Sequence, residues 1–430
     1  MNRSLAVILT ATLLAAPGAL APASAREAPA ASASAPAGEV GPIRVVVPFC
    51  HEELASPRLV TDGDGVSTAV WGCESRIFAA RSRADGTWRP AVELGAGLAP
   101  KAVVDTQGRV TVVYRMQHGA GMVSRRWTDG SWQPAVDITM PSRADVVFVQ
   151  LEQVQANARG DIVVLWSQNN GEVQSGDTPK LVAAYRPFDG PWQVGVRVGP
   201  KGYARSAAID GSGRVWVLNV PDVWRRTPAG RWLGPTSTPF DDIVVSGATA
   251  SDGGDLLLTA RPVGGDPRPL VAYEKPFGDP WLAGVQLGDH AGVGAPALLD
   301  DDGQAIVVFR GPQKAVWSVS RAAGGSWEAP VLVSATQVGP SHFRLVRGPD
   351  GMLALGWLEG TYDHYTLWVS VRPAGGDWAA PVQVAGLRWQ HLRHPTVTVE
   401  PDGVLLAAWQ GRVEGHPGWR MAARSVTFAG

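Results

Sequence analysis

One pattern recurs eight times along this chain: an alternating apolar run, a tight polar turn ending in glycine, then a second alternating run. It reads KAVVDTQGRVTVVYR at 101–115, SAAIDGSGRVWVL at 206–218, PALLDDDGQAIVVFR at 296–310 and TVTVEPDGVLLAAW at 396–409. The turn glycines are Gly65, Gly108, Gly160, Gly213, Gly254, Gly303, Gly351 and Gly403, at spacings of 43, 52, 53, 41, 49, 48 and 52 residues. Period-two apolar patterning joined by Asp/Asn/Gly turns specifies β-hairpins, because glycine accepts the positive φ that such a turn requires.

A second signature alternates with the first. It is a strand, a Gly-containing turn and a tryptophan opening a short strand, as in SRRWTDGSWQPAVDI (124–138) and SVSRAAGGSWEAPVLV (318–333). The tryptophans are Trp88, Trp132, Trp192, Trp232, Trp281, Trp327 and Trp378. Each repeat thus supplies two hairpins, or four strands, named a to d in chain order. Repeating four-stranded units of this length fit the blades of a β-propeller. A helical solenoid would need apolar spacings of three and four, which the sequence does not show. The expected fold is all-β: a single β-propeller, with eight blades, or seven if one hairpin is an insertion. A large ring recurring at one structural position is expected to fill the wedge between neighbouring sheets.

The eighth repeat stops after strand c, at AARSVTF (422–428), whereas an orphan strand, IRVVVPF (43–49), stands at the other end. The orphan is expected to complete the last blade, which removes an unpaired sheet edge.

Arg3, the apolar run Leu5–Leu20 and Ala23-Ser24-Ala25 together have the tripartite form of a secretory signal. Residues 1–25 are expected to be removed, 26–41 to be an Ala/Ser/Pro-rich linker, and 42–430 to be the propeller domain. The expected localisation is secreted and extracellular. Loss of Arg3 changes 38 basic against 39 acidic residues to 37 against 39, a net of −2. Such a balance offers no electrostatic footprint for nucleic acid and no polybasic patch for a membrane. Cys50 and Cys73, the two cysteines, are expected to form a disulfide in an oxidising compartment.

The turns Ala84-Asp85-Gly86-Thr87-Trp88 and Thr128-Asp129-Gly130-Ser131-Trp132 resemble the Asp-box of sialidase-like propellers, with no residue between Asp and Gly. The recurring Gly-x-Trp is similar to turns in propeller lectins and tectonin-type repeats. The resemblance spans 42–430 as architecture and implies the fold and a leaning toward glycans. The arginine triad and Tyr–Glu pair of a sialidase cannot be placed residue by residue, so no mechanism follows from it.

Topology sorts the loops. The a–b and c–d turns should share one face and the b–c and d–a connections the other. The second set reads as long and polar: SQNNGEVQSGDTPK (167–180), EGTYDHYT (359–366) and LRWQHLRH (387–394). All eight histidines fall there: His51, His118, His290, His342, His364, His391, His394 and His416. Histidine suits proton transfer, metal ligation and sugar contacts, although it also drifts into polar loops for want of a better place.

Tyr362, Asp363 and His364 form the densest reactive cluster, with chemistry suited to a lyase or a glycosidase. The candidate ligand contacts are His118, Arg143, Tyr203, Arg205, His342, Tyr365, His391, His394 and His416. The spacing of His391 and His394 is poor for a metal, and Asp300-Asp301-Asp302-Gly303 lacks the downstream acid of a calcium loop. No Walker loop, dinucleotide fingerprint or GxSxG elbow is present, so no cofactor is expected. With no paired carboxylates announcing a hydrolase, the leading expectation is a binding protein that recognises a glycan or cell-surface polymer through its long-loop face; the alternatives are a glycan-degrading enzyme and a protein-interaction platform.

Overall fold

The computed structural model describes residues 38–428 except 53–54, 84, 118–120, 140–147, 170–179, 201–204, 241, 265–267, 290–293, 336–337, 362–363, 387–388 and 417. It is an eight-bladed β-propeller, each blade an antiparallel sheet in the order a-b-c-d. The only helical turns described are Pro312–Lys314 and Pro349–Gly351.

Strand a of the successive blades is Ala55–Thr61, Leu98–Val104, Phe148–Ala156, Arg205–Ile209, Ile243–Ala250, Ala297–Leu299, Ser341–Arg347 and Trp389–Val399. Each of these strands contacts strand a of the next blade, and the last contacts the first. Strands a therefore surround the axis, and the ring is closed.

The closure runs as the orphan strand predicts. Arg44–Cys50 is strand d of blade 8, with Arg44 opposite Ala423, Val45 opposite Ala422 and Cys50 opposite Trp419. Glu39 and Val40 pair further along the same neighbour, with Thr427 and Val426. The segment read as linker therefore reaches the sheet before its expected end at residue 41. The expected disulfide is present: Cys50 and Cys73 have Cα atoms 6.0 Å apart, within the range a bridge requires. It ties the closing strand to strand b of blade 1, Ser67–Cys73.

Eight apolar clusters lie between adjacent blades. Seven are each bordered by one turn tryptophan: Trp88, Trp132, Trp192, Trp232, Trp281, Trp327 or Trp378. The eighth, between blades 7 and 8, has Phe428 and Val40 at its border instead. The rings thus pack between sheets, as repetition at one position implies, but they remain half-buried. Not every tryptophan opens strand d. Trp88 and Trp327 make single bridges to Ser82 and Arg321, and the regular strands begin at Val92 and Val331.

Blade height differs. Strands b and c of blade 4, Val215–Asn219 and Asp222–Arg226, have five residues each. Those of blade 7, Leu353–Thr361 and His364–Arg372, and of blade 8, Leu405–Val413 and Trp419–Thr427, have nine each.

Candidate functional site

The a–b and c–d turns meet on one face and hold it together. Asp210 accepts hydrogen bonds from the Ser212 and Arg214 amides and pairs with the Arg214 guanidinium at 2.8 Å. Asp105 caps the Gln107 and Arg109 amides and takes both Arg109 and Arg126. Arg109 reaches on to Asp189 in the c–d turn of blade 3, and Arg81 pairs with Asp62 at 3.0 Å. Guanidinium groups also lie over rings: Arg109 over Phe188, Arg214 over Phe277 and Arg81 over Trp127. Asp300 has the same duty, capping the Gln304 amide and pairing with Arg347. The turn aspartates are thus occupied by structure.

A cleft of about 390 Å³ opens on this turn face, between blades 5 and 6, lined by Asp255, Glu274, Asp301, Gly303 and Arg321 among others. Two of its charged groups are committed: Glu274 accepts from Trp327 Nε1 at 2.8 Å and pairs with Arg321 at 3.3 Å. This cleft lies on the short-turn face, opposite the histidine-bearing connections.

The opposite mouth is built differently. Strand a carries an extra residue just before Arg58 in blade 1, Lys101 in blade 2, Arg344 in blade 7 and Arg393 in blade 8. A bulge of this kind re-aims the side chain that follows it. Ala99, His342 and His391 each stand two positions before the cation, in the left-handed region, with φ of 51°, 56° and 53°. Blade 8 has a second bulge before Thr396, with His394 at φ 48°. Left-handed backbone is costly for a residue with a Cβ and tends to persist at sites under functional constraint.

The cations from these four blades share one space. Lys101 of blade 2 is influenced by Arg58 of blade 1 and Arg344 of blade 7, with Glu152 of blade 3 opposing. Blades 8 and 1 stand between blades 7 and 2, so those side chains can approach only through the central bore. Burial, then the two arginines, holds Lys101 at about 8, and burial with Arg344 holds Arg58 at about 10. Burial comes first for His394 as well. Together with Arg58, His342, Arg344 and Arg393 it lowers the imidazole to about 4. His342 is lowered too, by desolvation and then by Arg344 and Arg393. Arg58 and Arg344 donate to the carbonyls of Pro57 and Phe343, at 3.3 and 3.0 Å. Among the described residues, no carboxylate lies within ion-pair distance of Arg58, Lys101 or Arg344.

Around this bore the structure gathers part of the predicted set. The His342 and Tyr365 rings are 6.3 Å apart, edge to face, and His342 Nδ1 shares a hydrogen bond with the Ser341 hydroxyl. His391 lies 6.3 Å from Trp419, whose ring also faces Arg393 and Arg412 at 5.6 and 5.4 Å. His416 is exposed in the b–c turn of blade 8, its amide bonded to the Val413 carbonyl. Arg205 begins strand a of blade 4, on a different arc of the ring. Tyr362, Asp363, His118, Arg143, Tyr203 and His290 lie outside the described residues.

Two expected loops are strand. His364 and Tyr365 pair with Thr361 and Gly360, so strands b and c of blade 7 extend into 359–366. His391 and His394 lie within strand a of blade 8, where neighbouring strands satisfy a polar backbone as readily as an apolar one. Sequence reasoning missed Arg58, Lys101, Arg344 and Arg393. A signal was present: Ser56-Pro57-Arg58, Ala99-Pro100-Lys101, His342-Phe343-Arg344 and His391-Leu392-Arg393 share a basic third residue at the start of a repeat. Among the described residues, no group of three His, Cys, Asp or Glu could hold a metal ion.

No family model and no curated protein matches the chain. Among solved structures it is similar to a protein of unknown function from Dyadobacter fermentans, at 16% identity and TM-score 0.44, covering 92% of this chain and 100% of that one. A puromycin hydrolase matches at 14% identity and TM-score 0.49, over 86% of this chain and 61% of that one. The Aleuria aurantia lectin, solved with Fucα1-6GlcNAc, matches at 12% identity and TM-score 0.38, over 67% and 98%. Likeness of this degree transfers no activity.

Proposed function

We propose that the protein is an exported propeller that binds a carbohydrate polymer at the histidine-bearing mouth of its axial channel. The observation that carries this reading is the concentration of His342, Tyr365, His391, His394 and Trp419 in the two adjacent tall blades, beside the bulged strands. Imidazole and phenol groups offer hydrogen bonds and ring faces to sugar hydroxyls. Trp419 is buried and props the site, leaving Tyr365 and His342 as the contact rings. Export accords with the disulfide, which an oxidising compartment would form. Among the described residues no helix is long and apolar enough to cross a membrane.

The test is a glycan array on the secreted protein, paired with a reducing-sugar release assay on every polymer retained. Retention without release supports a binding protein. Release of reducing ends would make it a glycan-degrading enzyme, and absence of any retention would remove the carbohydrate reading.

A further inference from the structure

The cations of the bore are the feature that the binding reading leaves unexplained. They come from four separate repeats and follow a bulge in strand a, a device that blades 3 and 5 share at Gln153 and Gly247. Arg58, Lys101 and Arg344 each stand four residues before the first position of the a–b turn, where other blades have Gln153, Ser206, Gly247, Pro296 and Thr396. Cations at this level thus occupy one arc, blades 7 to 2, with Arg393 and His394 adding to it from blade 8. Each of the three is only part-exposed, on strands that surround the axis.

Like charges crowded in a partly desolvated bore repel one another, and among the described residues each of the three gives up hydration without an ion pair to replace it. Among the described residues Glu152 is the acid felt by Lys101, and it already accepts from the Ser167 hydroxyl at 2.8 Å. Two guanidinium groups and an ammonium converging from different directions, with a neutral imidazole beside them, match an oxyanion with several acceptor oxygens.

We propose that the axial channel is an anion-binding site in which Arg58, Lys101 and Arg344 hold a carboxylate or sulfate group, with His394 and Arg393 at its edge. Placed at the mouth of the proposed glycan surface, the site selects acidic polysaccharides, those bearing uronate or sulfate groups. That selectivity rests on the carbohydrate reading, whereas the anion site itself does not.

The low protonation range of Lys101 and His394 adds a consequence. A bound anion, with the guanidinium groups of Arg58, Arg344 and Arg393 around it, stabilises the charged forms of Lys101, His342 and His394, so binding takes up protons. Affinity should fall as pH rises through about 8, where Lys101 discharges.

The experiment uses the full secreted protein and four probes: inorganic sulfate, free glucuronate, a polyuronate and neutral dextran. Binding is read by calorimetry and by melting temperature. Sulfate and glucuronate should raise the melting temperature saturably, and the polyuronate should bind more tightly than either. Arg344→Gln and Lys101→Gln should each weaken glucuronate at least ~10-fold, the loss of one charge-assisted contact. Arg231→Gln, an exposed residue of a turn on the other face, should change nothing. Circular dichroism and melting curves of the unliganded variants separate lost binding from lost folding, and Lys101→Arg should retain binding. Dextran binding with no response to either small anion would overturn the anion site and leave the glycan reading standing. Response to the small anions with neither polymer bound would do the opposite. Silence with all four probes overturns both.

Discussion

The two ends of the propeller treat positive charge in opposite ways. On the turn face each arginine described above has company: Arg214 and Asp210, Arg81 and Asp62, Arg109 shared between Asp105 and Asp189. In the bore, Arg58, Lys101 and Arg344 face one another. Local hydrogen bonding explains the first group, since Asp62, Asp105 and Asp210 also cap backbone amides of their own hairpins. No local need explains the second. A fold does not gain stability from like charges crowded on its axis, and this separates residues kept for the scaffold from residues kept for a ligand.

The comparison is most directly broken at Asp210, whose carboxylate is buried against Arg214 and two amides. Asp210→Ala should cost about 3–5 kcal/mol, the range for breaking a buried pair. A urea midpoint left unchanged would show that the turn network is ornamental.

A drop in pH from 6.5 to 4 should come next in size. His394 titrates near 4 in the folded protein, and His342 is lowered as well. In that window the unfolded chain binds protons that the folded one refuses, so stability falls as pH falls. Thermal melts at steps of pH, compared with His394→Gln, should show a shallower acid slope in the variant. Equal slopes would place His394 outside the cationic field.

Lys101→Met should act in the opposite sense to Asp210→Ala. Relief of repulsion from Arg58 and Arg344 should raise stability by about 1 kcal/mol, allowing for screening by solvent in the bore. Lower stability would mean that Lys101 is a structural partner rather than part of a ligand site. The smallest effect belongs to His364→Ala. His364 is exposed, so denaturation should shift by less than about 0.5 kcal/mol while glycan retention weakens. A marked loss of stability would make this residue part of the scaffold.

How much of this was readable in advance follows the range of the interactions. A glycine in a hairpin turn is a local demand, so Gly65 to Gly403 marked all eight blades in the linear sequence. The closing strand was readable because a missing strand at one end matched a surplus at the other. The boundaries at the histidine-bearing mouth were not, because Thr361, His364, His391 and Arg393 are polar residues on strands and resemble loop. The bulges also interrupt the period-two alternation on which strand reading depends. Least readable was the bore. Arg58 and Arg344 are 286 residues apart, and only ring closure brings them together. The composition, close to neutral overall, conceals a local excess of charge.

The closed ring of strands a, joined in blade 8 by both ends of the chain, has a consequence for how the molecule comes apart. A linear array of repeats frays from its terminal unit, where only one interface must be broken. In a closed ring every blade has two neighbours, so the first blade to leave must break two interfaces at once. The weakest joint is then the natural place of rupture. Here that joint is blade 8, where the hydrogen bonds between Arg44–Cys50 and Trp419–Thr427 stand in for continuous chain. The Cys50–Cys73 bridge anchors one side of it to blade 1. Reduction would leave that pairing in place but remove a tether between the closing strand and blade 1, so the concerted opening at blade 8 should begin under milder conditions.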